Sequence, residues 1–184
     1  GKYGTQGVSS PSVFPGGRYA SGSFADTANA CLYLFGGYGY GDMYDVGGKF
    51  LSDLWKYDIN TGYWTWIKGS TSSGQPTVYG TKGVPSQFGS PGGRFGFAYT
   101  SDPSGAFWVF GGIEDGQGSG NIYLHDLWKY DPKINRWIWY GGSTAGNQYG
   151  VYGNLGIPDA SNLPGGRGYS TAWCDVAGNI YLFG

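Results

Sequence analysis

Six residues, DLWKYD, occupy positions 53–58 and recur at 126–131. The segments around them recur as well. YGTQGV at 3–8 returns as YGTKGV at 79–84 and YGNLGI at 152–157, and PGGR stands at 15–18, 91–94 and 164–167. LFGG at 34–37 returns as VFGG at 109–112 and as LFG at 182–184, while YWTWIKG at 63–69 answers RWIWYGG at 136–142. The starts at 3, 79 and 152 give periods of 76 and then 73 residues. A fixed period of this kind means that one supersecondary unit is copied, and that each copy buries its apolar face against the next. The third DLWKYD falls due beyond position 184, so the 184 residues are expected to be a fragment of a longer array.

Each unit reads as four short strands, because its apolar and aromatic residues alternate or run in short blocks bounded by Gly, Pro, Asp and Asn. Strand one follows PGGR, in RYASGSFA, RFGFAYT and RGYSTAW. Strand two is CLYLFG, AFWVFG or IYLFG, closed in the first two units by the glycine pairs Gly36–Gly37 and Gly111–Gly112. The turns between them, DTANA, DPSG and DVAG, open on Asp, whose side chain can bond the turn's backbone. Strand three is DLWKYD, with Asp53 and Trp55 answered by Asp126 and Trp128. In strand four, Trp64 and Trp66, or Trp137 and Trp139, stand two apart, which puts both rings on one sheet face. The three residues lost from the second unit fall in the first hairpin turn and in the connection from strand two to strand three.

Composition agrees with an aromatic β fold. The chain has 38 Gly and 19% Phe, Trp and Tyr, with only 12% charged residues against about 25% in an average domain. Eleven Lys and Arg balance twelve Asp and Glu, without the basic stripe that neutralises phosphates or a polybasic run for anionic lipid. Neither nucleic acid nor membrane insertion is expected, and no apolar run nears the roughly 20 residues of a membrane helix. Cys31 and Cys174 lack metal-ligand spacing and read as small buried residues or as one bridge.

The glycine pair ending strand two, the Asp-Leu-Trp to Tyr-Asp third strand and the Trp of strand four together resemble the kelch repeat family. The resemblance implies an all-β fold, in which each unit is a four-stranded blade of a β-propeller. It gives one partial propeller domain over 1–184, with blade 1 at 3–78, blade 2 at 79–151 and half of blade 3 at 152–184. About 25 residues more than a kelch unit separate successive blades. Two and a half blades also leave sheet edges open, and the edge at Ile180 to Phe183 is expected to be paired by other sequence, from the same polypeptide or another chain.

Catalytic candidates are few. His125, the single histidine, cannot supply the two imidazoles of the copper site in galactose-oxidase-type kelch enzymes, and reads as a surface or strand-edge residue. SDPSGAFW at 101–108 approaches the turn of sialidase-type propellers with its Asp one place early, and reads as a plain hairpin turn. Arg18, Arg94 and Arg167, with Asp53 and Asp126, recur in register. A buried Arg and Asp can satisfy one another by charge-assisted hydrogen bonds, so they read as architecture. The acidic, glycine-rich loops 38–48 and 113–121 carry oxygen ligands of the kind hard cations use, without a calcium-loop pattern. No catalytic residue, cofactor or metal is assigned.

In a four-stranded meander the connections from strand two to three and from strand four to the next blade emerge on one face. Both are long here, about 15 and 25 residues, and long connections without secondary structure are usually functional or disordered. The expected function is a non-catalytic structural or interaction module presenting this Tyr-, Gly- and Ser-rich face to a protein or carbohydrate. Tyr38, Tyr40, Asp42, Tyr44, Asp45, Glu114, Asp115 and Tyr149 are its candidate binding residues. The rival is a propeller-fold oxidase or lyase with its catalytic residues in blades outside this stretch. Scarce charge and a single methionine, Met43, point to an extracellular or cell-surface setting.

Overall fold

The alternation of large apolar and smaller residues along each segment is the pattern of a strand with one face turned to a neighbour. The computed structural model, which describes residues 1–45, 47–116 and 120–184, realises it as thirteen short strands. They are β1 (Arg18–Tyr19), β2 (Gly22–Asp26), β3 (Cys31–Phe35), β4 (Tyr38–Gly39), β5 (Lys49–Phe50), β6 (Leu54–Asp58) and β7 (Tyr63–Lys68) in the first unit. The second unit has β8 (Ala98–Ser101), β9 (Phe107–Asp115), β10 (Asn121–Asp131) and β11 (Arg136–Gly141), and the third has β12 (Thr171–Cys174) and β13 (Ile180–Phe183). All pairing is antiparallel: β2-β3-β6-β7 is one blade, β8-β9-β10-β11 the next, and β12-β13 the first half of a third. One 3-10 turn, Thr27–Asn29, is the only helical element among the described residues, and none of them forms a helix long and apolar enough to cross a membrane.

Register fixes which side chains meet. Leu34, Trp55 and Trp66 lie in one cross-strand row of the first blade, and Leu32, Tyr57 and Trp64 in the next. The equivalent rows of the second blade are Val109, Trp128 and Trp139, and Phe107, Tyr130 and Trp137. That second-blade face packs on the opposite face of the first blade: Phe24 stacks on Phe107 at 4.5 Å, and Phe35 meets Trp137 at 5.0 Å. The result is one core cluster running through both blades.

Equivalent residues therefore differ according to whether a blade stands beside them. Phe107 is 0% exposed where Leu32 is 44% exposed. Trp137 and Tyr130 are buried, while Trp64 and Tyr57 are half-buried. At the other end of the arc, Trp173, Tyr181 and Phe183 are 51%, 44% and 71% exposed.

Two sequence expectations are corrected. Strand one does not run on from PGGR, because the residue two places after each arginine has a left-handed backbone: Ala20 at φ 51°, Gly96 at 61° and Tyr169 at 60°. A strand cannot pass through that conformation, so β1 is cut from β2 and joins a separate sheet, β1-β4-β5. The connections from strand two to three are also not free of secondary structure. In the second blade β9 and β10 continue as a hairpin to Asp115 and Asn121, with a register shift between Leu124 and Leu127, and in the first blade β4 and β5 pair in the same place. Backbone groups that long excursions would leave unpaired are satisfied by this pairing. The glycine pairs make the step from blade into hairpin. Gly36 and Gly37 have φ 62° and 97°, Gly111 and Gly112 have 63° and 95°, and a Cβ on Gly111 would lie 2.7 Å from the Leu124 carbonyl oxygen.

Candidate functional site

The 25-residue connections fold back on the blade that they precede. Lys2 bridges Phe14 and Val78 bridges Ser90, so each connection is itself a loose hairpin. Its tip lies along the outer edge of strand four. Gly7 and Ser10 donate their N–H groups to the Trp66 and Trp64 carbonyls, at 2.8 and 3.3 Å, and Gly83 and Ser86 do the same to Trp139 and Trp137, at 2.8 and 3.0 Å. The edge strand of each complete blade is thereby covered, as an exposed edge must be.

A buried node holds the connection down. Arg94 gives Nη1 to Asp126 Oδ1 at 2.7 Å and Nη2 to Oδ2 at 3.0 Å, and the Tyr79 hydroxyl and Trp128 Nε1 donate to the same Oδ2 at 2.9 and 2.6 Å. Arg18, Asp53, Tyr3 and Trp55 repeat it at 2.6, 2.8, 2.5 and 2.6 Å. Arg94, Asp126 and Asp53 side chains have no exposed surface, and Arg18 has 4%. Burial alone would raise the Asp126 pKa, but Arg94 and the donors hold it below the ordinary carboxylate value. Burial and then the carboxylate push the Tyr3 and Tyr79 hydroxyls upward, so both stay neutral donors. In these two nodes every charge is spent inside the fold.

The candidate binding residues fall into separate places. Tyr38 lies half-buried in β4, edge-on to Phe50 at 5.6 Å and Phe95 at 5.9 Å, and belongs to a second, smaller core cluster. Tyr40 and Tyr44 are exposed, at 56% and 82%. Asp42 accepts from the Tyr44 N–H, and Asp45 from the Gly41 N–H and the Ser73 hydroxyl, so both carboxylates brace the hairpin. Asp42, Tyr44 and Asp45 line a cavity of about 530 Å³ with Lys49, Ser72 and Ser73. Glu114 and Asp115 line a smaller one, about 230 Å³, with Gln75, Pro76 and Ile122. Glu114 accepts from the Thr77 hydroxyl at 3.3 Å, and its burial raises its pKa against the pull of Arg94. Tyr149 stands on the third connection, 96% exposed. Val46 and Gln117 to Ser119, parts of the two acidic loops, lie outside the described residues, and among the described ones no three His, Cys, Asp or Glu converge as a metal site.

On the opposite face the hairpin turns close on themselves. Asp102 accepts from Ser104, Ala106 and the Trp108 indole, and Asp175 from Ala177 and Asn179. A groove of about 920 Å³ runs between the two turns Asp26–Asn29 and Asp102–Gly105, bordered by Lys56 and Lys133. Sequence reasoning missed it, because it forms only where two blades diverge. His125 is buried, its Nδ1 has no hydrogen-bond partner, and burial lowers its pKa. Both thiols are free.

Residues 20–71, which span β2 to β7 of the first blade, match the family model described as the kelch motif. The first blade carries a kelch motif. A search of the curated proteins finds no match. Among solved structures, that of YjhT matches with a TM-score of 0.50 at 17% identity, over 95% of this chain and 35% of that one. The chain thus spans about a third of that protein, and the likeness is one of fold.

The third unit carries the same node in part. Arg167 keeps the carbonyl contacts of its counterparts, Nε to Gly165 and Nη1 to Gly184, as Arg94 has to Gly92 and Gly111. Among the described residues it pairs with no carboxylate. Tyr152, the counterpart of Tyr3 and Tyr79, is 79% exposed.

Proposed function

We propose that the chain is a non-catalytic interaction or structural module of a larger kelch-type propeller, acting outside the cell or at its surface. It presents the hairpin face to a protein or carbohydrate partner. One observation carries this reading: in the first two units the recurring Arg, Asp, Tyr and Trp are consumed in internal nodes, whereas the residues particular to one hairpin, Tyr40, Met43 and Tyr44, stand 56%, 80% and 82% exposed beside a polar cavity. Exposed aromatic rings over hydroxyl and carboxylate groups suit stacking on a sugar or anchoring in a protein surface. The blade edge at β13 belongs to the same reading, paired by a strand of the same polypeptide or of another chain.

The test is binding to arrays of glycans and of secreted proteins, by the chain and by its Tyr40→Ser/Tyr44→Ser variant. The reading expects a ligand whose binding falls at least about tenfold in the variant while the unfolding midpoint is unchanged. A ligand bound equally by both would move the binding face elsewhere.

A further inference from the structure

The two complete blades differ at one equivalent pair, and the difference leaves a lysine unpaired in the groove between them. In the second blade Trp108 Nε1 donates to Asp102 at 2.7 Å, and Lys129, in register with Trp108, lies 3.6 Å from that carboxylate and 5.2 Å from the centre of the indole ring. In the first blade Tyr33 stands at the position of Trp108, and it has no indole N–H to hold Asp26. Asp26 closes its own turn instead, accepting from the Asn29 N–H at 3.2 Å and from Asn29 Nδ2 at 2.8 Å. Lys56, in register with Tyr33, is left without an ion pair among the described residues. Tyr33 and Lys56 both line the groove of about 920 Å³ between the turns Asp26–Asn29 and Asp102–Gly105. Tyr33 is 7% exposed, burial pushes its pKa up to about 12, and its hydroxyl has no hydrogen-bond partner among the described residues. That oxygen is not sealed from solvent, so it opens on the groove.

We propose that this groove is a second ligand site, on the face opposite the hairpins, for a small carboxylate with a hydroxylated body. Tyr33 and Lys56 are cross-strand partners on one face, which sets their side chains next to one another. An ammonium and a phenol hydroxyl are both donors, and the two oxygens of one carboxylate can accept from both. Of the four charged groups in the lining, Asp26 and Asp102 are tied within their turns, whereas Lys56 and Lys133 form no ion pair among the described residues. A phosphate fits less well, because such anions are met by runs of free backbone N–H groups. Here the N–H groups of Asn29, Ser104 and Ala106 go to the two aspartate side chains, and that of Gly105 goes to the Asp102 carbonyl. A peptide finds no open strand edge in the same turns. The rest of the wall, with Thr27 and Ser101 beside Pro103 and Pro132, mixes hydroxyls with apolar ring faces and suits hydroxyl groups set on a carbon frame. The volume is that of a small-molecule site. Both walls belong to complete blades, so the groove owes nothing to the third unit or to the hairpin face.

The test titrates sodium D-gluconate, D-glucuronate or L-lactate into the 184-residue protein and follows the backbone amides of Ala28, Asn29 and Ser104 by NMR. Saturable shifts at both turns, with a Kd of about 1 mM or tighter, are expected for at least one of the three. D-Glucose, which lacks the charge, and inorganic phosphate should each bind at least about tenfold more weakly. Lys56→Met keeps the aliphatic stem and is expected to weaken the carboxylate at least about tenfold, and Tyr33→Phe about threefold. Lys133→Met, on an exposed turn, removes a charge without touching the core and should weaken it about threefold as well. The unfolding midpoint of each variant is measured alongside. No saturable shift with any of the three carboxylates, equal binding of glucose, tighter binding of phosphate, or an affinity unchanged in all three variants would each overturn the proposal. Shifts at Tyr44 and Ser73 in place of the two turns would put the anion on the hairpin face, and would overturn it too.

Discussion

Arg94 and Asp126 face one another with no solvent at either side chain, Nη1 2.7 Å from Oδ1, across the junction where a connection rejoins its blade. Removing one partner strands the other charge in the interior. Asp126→Asn is therefore expected to cost about 3–5 kcal/mol in denaturant unfolding at neutral pH. Replacing both, as Arg94→Met with Asp126→Leu, is expected to cost less than the sum of the single changes. The pKa of Asp126 is depressed on folding. Its contribution is then fully present above the unfolded carboxylate pKa of about 3.9 and is lost as pH falls through the lower folded value. The Asn variant should lack that acid-side loss, and a variant with the wild-type slope below pH 4 would contradict the pairing.

Glu114 titrates in the opposite sense. Burial raises its pKa above 4.5, with Arg94 pulling the other way. A group whose pKa rises on folding stabilises the fold below its unfolded pKa, and that stabilisation is lost as pH climbs through the folded value. Glu114→Gln is accordingly expected to raise the thermal midpoint at pH 7 and to leave it unchanged near pH 4. A lower midpoint at pH 7 would show that the charge is needed where it sits.

The left-handed step two residues after each arginine offers an internal control. Gly96 takes it at φ 61°, and a Cβ there would meet the Tyr169 ring at 3.3 Å, whereas Ala20 takes the same step at φ 51°. Gly96→Ala is expected to cost about 1–2 kcal/mol. Ala20→Gly relieves strain of that size and gives up a methyl group worth about 0.8 kcal/mol, so it should be neutral or slightly stabilising. Equal and large losses for both in thermal unfolding would contradict the assigned backbone.

Much of the fold is legible in the sequence, because strand spacing and the repeat are local and periodic. The tryptophans two apart in strand four do share a face: Trp64 meets Trp55 at 6.4 Å and Trp66 meets Tyr3 at 5.4 Å, while Trp55 and Tyr3 themselves touch at 4.8 Å. The docking of the connections is not legible in that way. Tyr3 and Asp53 are 50 residues apart, and nothing in YGTQGV has the period of a strand. The available signal was recurrence, since YG-x-x-G returns in register with PGGR, as architecture does and a free binding loop does not. The break in strand one was hidden for another reason. Ala20 and Tyr169 are ordinary residues at a left-handed position, where glycine alone would have announced the turn. Of the candidate binding residues, the sequence placed them all on long connections but could not separate Tyr38, tied to Phe50 and Phe95, from Tyr40 and Tyr44 in solvent.

The most direct test is hydrogen exchange of the free chain at three pairs of equivalent amides. Gly7 and Ser10, and Gly83 and Ser86, donate to the carbonyls of a fourth strand. Gly156 and Asp159 stand at the same places in a unit whose described strands are two. Slow exchange in the first two pairs, at least about tenfold below the third, is the predicted result. Equal exchange in all three pairs would mean that the connections do not clasp their blades.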